Sequence, residues 1–296
     1  MNQFREILLS GVNEFIHALL QHPDINWFAI TLMAVLIALV YFTEVSKFML
    51  SGLDVESIAQ ATLMVFATLL LFGSFTTVFD ITYAMFDDLG LLFLKVGTGN
   101  ADPFFLSKWV SKSLGYLYGE DVSLFNMAIG DVLYTLLWHV TAFLLQAAMM
   151  VISIWSLLTL ALAKILGLLF IPLLAHPATR GLFDGWFKLV LGSLLLLVLL
   201  RATGVLVAIA LKAQFHTIGV INCQGNSDLS ACSYAARNVS HMSTEDFGQA
   251  ICTMVLSIAL VLASMSFAAA IGGSVVSPSK SVGRGAAQLA KKFTRF

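Results

Sequence analysis

The sequence predicts an all-α, polytopic helical membrane protein with five transmembrane crossings, or alternatively six, plus N-terminal and central amphipathic helices. Two observations carry this. Of 296 residues, 11% are charged and 59% hydrophobic, with mean hydropathy +0.90, whereas soluble domains hold about 25% and 45–50%. Too few polar side chains remain to cover a water-facing surface, and disorder needs low hydrophobicity and high net charge. The second observation is a set of stretches without Asp, Glu, Lys or Arg: 25–43, 57–79, 132–163 and 247–279, together with 189–211, which carries a single charge, Arg201. A bilayer core of about 30 Å takes roughly 20 helical residues. A net charge of −1 supplies no global field for nucleic acid, and three cysteines exclude a disulfide-scaffold mini-protein.

Taken in order, residues 1–24 form an amphipathic helix. Phe4, Ile7, Leu8, Val12, Phe15, Ile16, Leu19 and Leu20 recur at three and four, and the polar residues fall opposite. No basic stretch precedes an apolar core, so this is not a cleavable signal. Residues 25–79 supply two crossings, 25–43 and 57–79. Segment 80–130 is too long and apolar for a plain loop. There Asp102-Pro103 reads as N-cap and first helical position. Phe105, Leu106, Trp109, Val110, Leu114 and Leu117 share one face, and Gly119 can end the helix. With Tyr83, Trp109 and Tyr116 as interfacial aromatics, this reads as a helical layer hugging the bilayer. Region 131–211 holds a long apolar stretch, a broken Trp-containing element and a further crossing. Residues 131–175 admit one long or broken passage, or two crossings with Lys164 near the turn. A polar loop covers 212–248, the last crossing 249–274, and a tail 275–296 whose Lys280, Arg284, Lys291, Lys292 and Arg295 place it in the cytoplasm. Basic residues in 80–130 mildly favour six crossings.

No catalytic constellation is present: no GxSxG, HExxH, Walker loop or CxxC. No acid lies inside the apolar runs, which counts against an ion-coupled carrier. No metal or cofactor is expected, since His216 and His241 have no partner at ligand spacing. Arg201 is the sharpest feature. It is either a pore-lining or interface cation, or it snorkels, or it pairs with backbone carbonyls or with Gln146. His139 reads as a satisfied buried histidine and Cys252 as a small core residue. Cys223 and Cys232, nine residues apart, can close a disulfide in an oxidising compartment. Ser264, Ala268 and Gly272 are spaced at four and pack helices closely, between subunits or within one. In 164–188, Pro172 and Pro177 break the helix, and Arg180, Asp184, Trp186 and Lys188 mark a boundary.

This segment, PLLAHPATRGLFDGWFK, is where a family resemblance enters. Pro172, Pro177, Thr179, Arg180, Phe183 and Trp186, followed by a Leu-rich crossing, resemble the TrbL-type polytopic inner-membrane subunit of bacterial type IV secretion systems. The order of features along most of the chain is similar too. The resemblance implies five crossings, a periplasmic N-terminus and a cytoplasmic tail in the inner membrane. It implies a subunit without enzymatic activity that forms a five-fold homo-oligomeric ring. That ring would act as channel and assembly platform for the pilus or stalk and for passage of DNA–protein or protein substrates. The partners implied are further copies of the chain, the minor pilin of the stalk, other inner-membrane secretion components with their ATPases, the lipid bilayer, and nucleic acid in transient contact at most. It gives Arg201, Trp186, Arg180, Pro172, Pro177 and Phe183 assembly or channel roles. Two other classes compete: a small-molecule permease with a site near Pro172, and an intramembrane enzyme using His139 or His216.

Overall fold

The computed structural model describes residues 2–52, 54–102, 105–116, 129–223, 228–237 and 243–271. Seven α-helices account for most of them: α1 (Asn2–Leu20), α2 (Pro23–Ser51), α3 (Val55–Thr98), α4 (Phe105–Gly115), α5 (Ile129–Phe170), α6 (Arg180–Thr217) and α7 (Thr244–Ile271). Five of these, α2, α3, α5, α6 and α7, are long and apolar enough to cross a membrane. A two-stranded antiparallel pair, β1 (Ile221–Asn222) and β2 (Ser233–Tyr234), completes the described chain. Basic tail residues, Gly119, His241 and Gly272 lie outside the described residues.

The helix ends follow local chemistry. Pro23 opens α2, with His22 Nδ1 accepting from the Asp24 N–H. Gly52 closes it at φ 88°, a conformation that a Cβ disfavours, and donates its N–H to Phe48 O at 3.0 Å. Asp54 then accepts the Ser57 N–H at the start of α3. Ser243 accepts the Asp246 N–H and donates its hydroxyl to the Asp246 carboxylate, a reciprocal cap that starts α7.

The chain divides into two compact units, and α3, α5 and α6 contribute to both. In the first unit, α2 buries one narrow stripe, Ala29, Met33, Leu36 and Val40, and exposes Trp27, Phe28, Phe42 and Leu50. Ile16 is buried on α1, while Ile7 and Phe15 stay exposed. The apolar face read from the sequence is therefore covered only in part.

The second unit holds one large apolar cluster. α5 enters it through Trp138, Ala142, Leu145, Met149 and Ile152, and α7 through Phe247, Ala250, Met254, Ser257, Val261, Ser264 and Ala268. Alternating steps of four and three are the 3.5-residue repeat of a coiled-coil seam. Trp138 and Phe247 meet with ring centroids 6.3 Å apart. The α4 face named from the sequence is buried here, Phe105, Leu106, Trp109, Val110 and Leu114. Trp109 packs on Phe215 of α6 and is 3% exposed. It is a core residue, and this face of α4 packs on its own chain.

Crossing number follows from two findings. α5 is one helix with no break between residues 131 and 170, so Lys164 marks no turn. In the second unit, the Arg237 N–H donates to Tyr116 O at 2.9 Å, Tyr116 stacks on Tyr234, and Gly99 abuts Asp228. The segments after α3 and after α6 thus lie together on one side, which requires α5 and α6 each to cross once. Six crossings would put them on opposite sides. The helix after residue 57 also runs past the uncharged stretch: α3 has 44 residues, about 66 Å, and carries Asp80, Asp87 and Asp88 within it.

Candidate functional site

Two constellations hold the residues singled out in the sequence. The first lies in the first unit, at the break between α5 and α6. After Phe170, Pro172 prevents continued α-helical bonding, and a single 3-10 turn, Pro172–Leu174, packs near α2. The Thr179 hydroxyl donates to Leu173 O at 2.7 Å, and His176 Nδ1 accepts the Ala178 N–H. The turn is thereby held while Pro177 stays exposed. Arg180 opens α6 half-buried, its Nε without a hydrogen-bond partner.

Trp186 is 6% exposed and donates its indole N–H to Ala163 O at 2.8 Å. Its ring meets Phe75 edge-on at 5.9 Å and Phe183 at 5.4 Å. Phe75 reaches this position because α5 carries Gly167: a Cβ there would sit 2.1 Å from the Phe75 ring. Lys164 and Asp80 close the cluster with an ion pair at 2.5 Å, the Asp80 side chain 59% exposed. Trp186 and Phe183 therefore staple α3, α5 and α6 together, and their faces are turned to their own chain.

The second constellation lies in the second unit. Arg201, 11% exposed in its side chain, donates to both the carboxylate and the backbone carbonyl of Asp87 on α3. Its aliphatic chain lies across Gly90, where a Cβ would fall 2.7 Å from Arg201 Cδ. One heptad further, Gly97 receives Val205, at 2.1 Å from the position a Cβ would take. As residue numbers rise from 90 to 97 on α3 they rise from 201 to 205 on α6, so the two helices run parallel. Sequence reasoning foresaw a backbone-carbonyl partner but named Gln146 and missed Asp87. Asp87 lies outside every uncharged run, yet the fold sets it beside the middle of 189–211. No acid lies inside the uncharged runs themselves, and the carboxylate that meets Arg201 comes from beyond the end of the 57–79 run.

Above this seam sits a small cap. Gly99 ends α3 at φ 78° and donates its N–H to Lys95 O. Cys223 and Cys232 are bonded, with Cα atoms 4.2 Å apart, and both are buried. They bracket a turn in which the Ser230 hydroxyl and N–H donate to Asp228, holding that carboxyl below its usual range. Lys112 lies 4.4 Å over the Tyr234 ring, and burial raises the Tyr234 phenol.

The remaining candidates separate. Ser264 and Ala268 are buried within the second unit, with the Ser264 hydroxyl bonded to Val261 O. Their packing is intramolecular. Cys252 is exposed on α7 and His139 exposed on α5; neither is the buried residue the sequence suggested. Among the described residues no group of His, Cys, Asp and Glu is arranged to hold a metal ion.

A family described as TrbL/VirB6 plasmid conjugal transfer protein matches residues 58–218, more than half of the chain. The chain belongs to the TrbL/VirB6 family. No curated protein matches it significantly. The match begins within α3 and ends with α6, so both constellations fall inside it. The disulfide, α7 and the two N-terminal helices fall outside. A TrbL/VirB6 protein is a component of conjugal transfer, and five apolar helices make this one a multi-pass membrane protein.

Two outcomes follow for stability. Asp87→Leu strands a buried guanidinium and is expected to cost on the order of 3–5 kcal/mol, while Asp87→Leu with Arg201→Leu costs far less because both charges leave together. Thermal unfolding in detergent measures this, and equal losses would contradict the pairing. Trp186→Phe removes one hydrogen bond at about 1 kcal/mol, whereas Trp186→Ala opens a cavity at about 3–5 kcal/mol. An alanine variant with the wild-type midpoint would contradict the staple.

Proposed function

We propose that this protein is an inner-membrane channel and assembly-platform subunit of a type IV secretion system. In this reading it supports pilus or stalk assembly and the passage of DNA–protein or protein substrates. The family match over 58–218 is the observation that carries the reading. The distribution of surfaces agrees with it. α2 and α3 are wrapped only thinly by their own chain and leave long apolar faces, among them Trp27, Phe42, Leu63 and Phe66, for lipid and for further copies of the chain. A homo-oligomeric ring is the arrangement we favour, with the minor pilin of the stalk and the other inner-membrane components and ATPases as partners.

Orientation follows from redox chemistry. Disulfides persist in oxidising compartments, so the cap with Cys223–Cys232 is assigned to the periplasm. With five crossings, the orientation we propose has the N-terminus in the periplasm and the C-terminus in the cytoplasm. The break at Pro172–Leu174 then faces the cytoplasm. The proposed energy source is the separate ATPases, since the sequence carries no nucleotide-binding loop of its own.

An in-frame deletion complemented by plasmid, scored for conjugative transfer or effector delivery and for surface pili, tests the reading. Loss of both, restored by the wild-type gene, is expected. Normal transfer and normal pili in the absence of a second copy would overturn it and return the small-molecule permease to consideration.

A further inference from the structure

Buried hydroxyls in the second unit follow a pattern. Those of Thr98, Thr141, Thr203, Ser257 and Ser264 each donate to a backbone carbonyl one turn back on their own helix. Ser113 of α4 departs from it, as does Ser156 of α5: both are fully buried, and neither hydroxyl has a hydrogen-bond partner. At Ser113 a second such donor lies alongside. Trp109 is one turn earlier on the same face of α4, and its indole N–H is also buried and unpartnered. Both donors face Tyr234 of β2. The Tyr234 ring lies against α4, stacked on Tyr116 at 5.0 Å and with Lys112 Nζ 4.4 Å from its centre. Burial raises the Tyr234 phenol, and the Ser113 hydroxyl and the Trp109 indole act against that rise, as donors beside a phenolate do. Yet neither donor completes a hydrogen bond to the phenol oxygen. Three polar atoms from two elements thus converge without bonding one another. Native folds rarely leave buried donors unpaired, and where several converge an ordered water satisfies them.

We propose that this point is a binding site for one ordered water molecule, which joins α4 to the cap. The water accepts the Trp109 indole N–H and the Ser113 hydroxyl and donates to the Tyr234 phenol oxygen. Both orphaned donors are then satisfied. The outer part of the same joint is made by the Arg237 N–H on Tyr116 O and by the tyrosine stack, and the water supplies its core side. The site concerns how two elements of one unit are held together, so it stands independently of the secretion reading.

Denaturant unfolding of the full-length protein in detergent tests the site by sign. Ser113→Ala takes a partner from the water and is expected to raise the unfolding constant about fivefold. Ser257→Ala on α7 is the control. It makes the same helix-favouring change and loses only a bond to Thr253 O of its own helix, so it is expected near the wild-type value. Tyr234→Phe is also expected to destabilise. Combined with Ser113→Ala it should change the constant by less than the product of the single effects, because both substitutions act on one water. A structure at a resolution that shows ordered water is expected to place a peak within hydrogen-bond reach of Trp109 Nε1, Ser113 Oγ and Tyr234 Oη. Ser113→Ala at or above wild-type stability would overturn the proposal, since removing an orphaned hydroxyl costs nothing. Independent effects of the two substitutions would overturn it as well. So would a structure in which the two donors bond Tyr234 directly, with no water between them.

Discussion

The contact between Arg201 and Asp87 constrains much of the second unit. An arginine within the 189–211 apolar run of α6 is tolerable only if its charge is matched and its donors are used. Asp87 does both with a carboxylate and a carbonyl oxygen, and Gly90 clears the groove in which the side chain lies. That fixes the register of α3 against α6. With the register set, Gly97 accepts Val205, Gly99 reaches Asp228, and Leu106 of α4 reaches Gly204. The cap around the disulfide is thus placed by the same seam that neutralises the charge.

Direction matters as much as register. Two parallel helices separated in sequence by α5 need α5 to cross once, and the cap contacts ask for the same parity. In the first unit a comparable economy holds the break. Proline ends α5, and Trp186 ties the start of α6 back to Ala163 and Phe75. The tryptophan that invites reading as a bilayer anchor is better described as the clasp of a helical hairpin.

Much of this was legible in the sequence. Uncharged runs located all five long helices, and spacing at three and four identified Phe105, Leu106, Trp109, Val110 and Leu114 on the buried face of α4, missing Ser113, while Leu117 lies outside the described residues. Pro172 and Pro177 marked the break, and the Trp-containing segment carried the family resemblance that the match over 58–218 establishes. What escaped has physical reasons. Charges end the uncharged runs, but a charged residue does not stop a helix, and α3 continues through Asp80, Asp87 and Asp88. The partner of Arg201 lies 114 residues away, a separation that spacing rules do not reach. Whether Trp186, Ser264 or Cys252 points inward depends on neighbours on other helices, and a single sequence does not display them.

The parallel α3–α6 seam is tested most directly by cysteine trapping. Gly97→Cys combined with Val205→Cys, with Cys252→Ser, places two thiols where a Cβ on residue 97 nearly coincides with the Val205 side chain. Mild oxidation in native membranes, followed by proteolysis and mass spectrometry under non-reducing conditions, should recover a peptide pair linked within one chain. Absence of that pair, with Gly90→Cys and Val205→Cys linking instead, would shift the register and break the Arg201–Asp87 account.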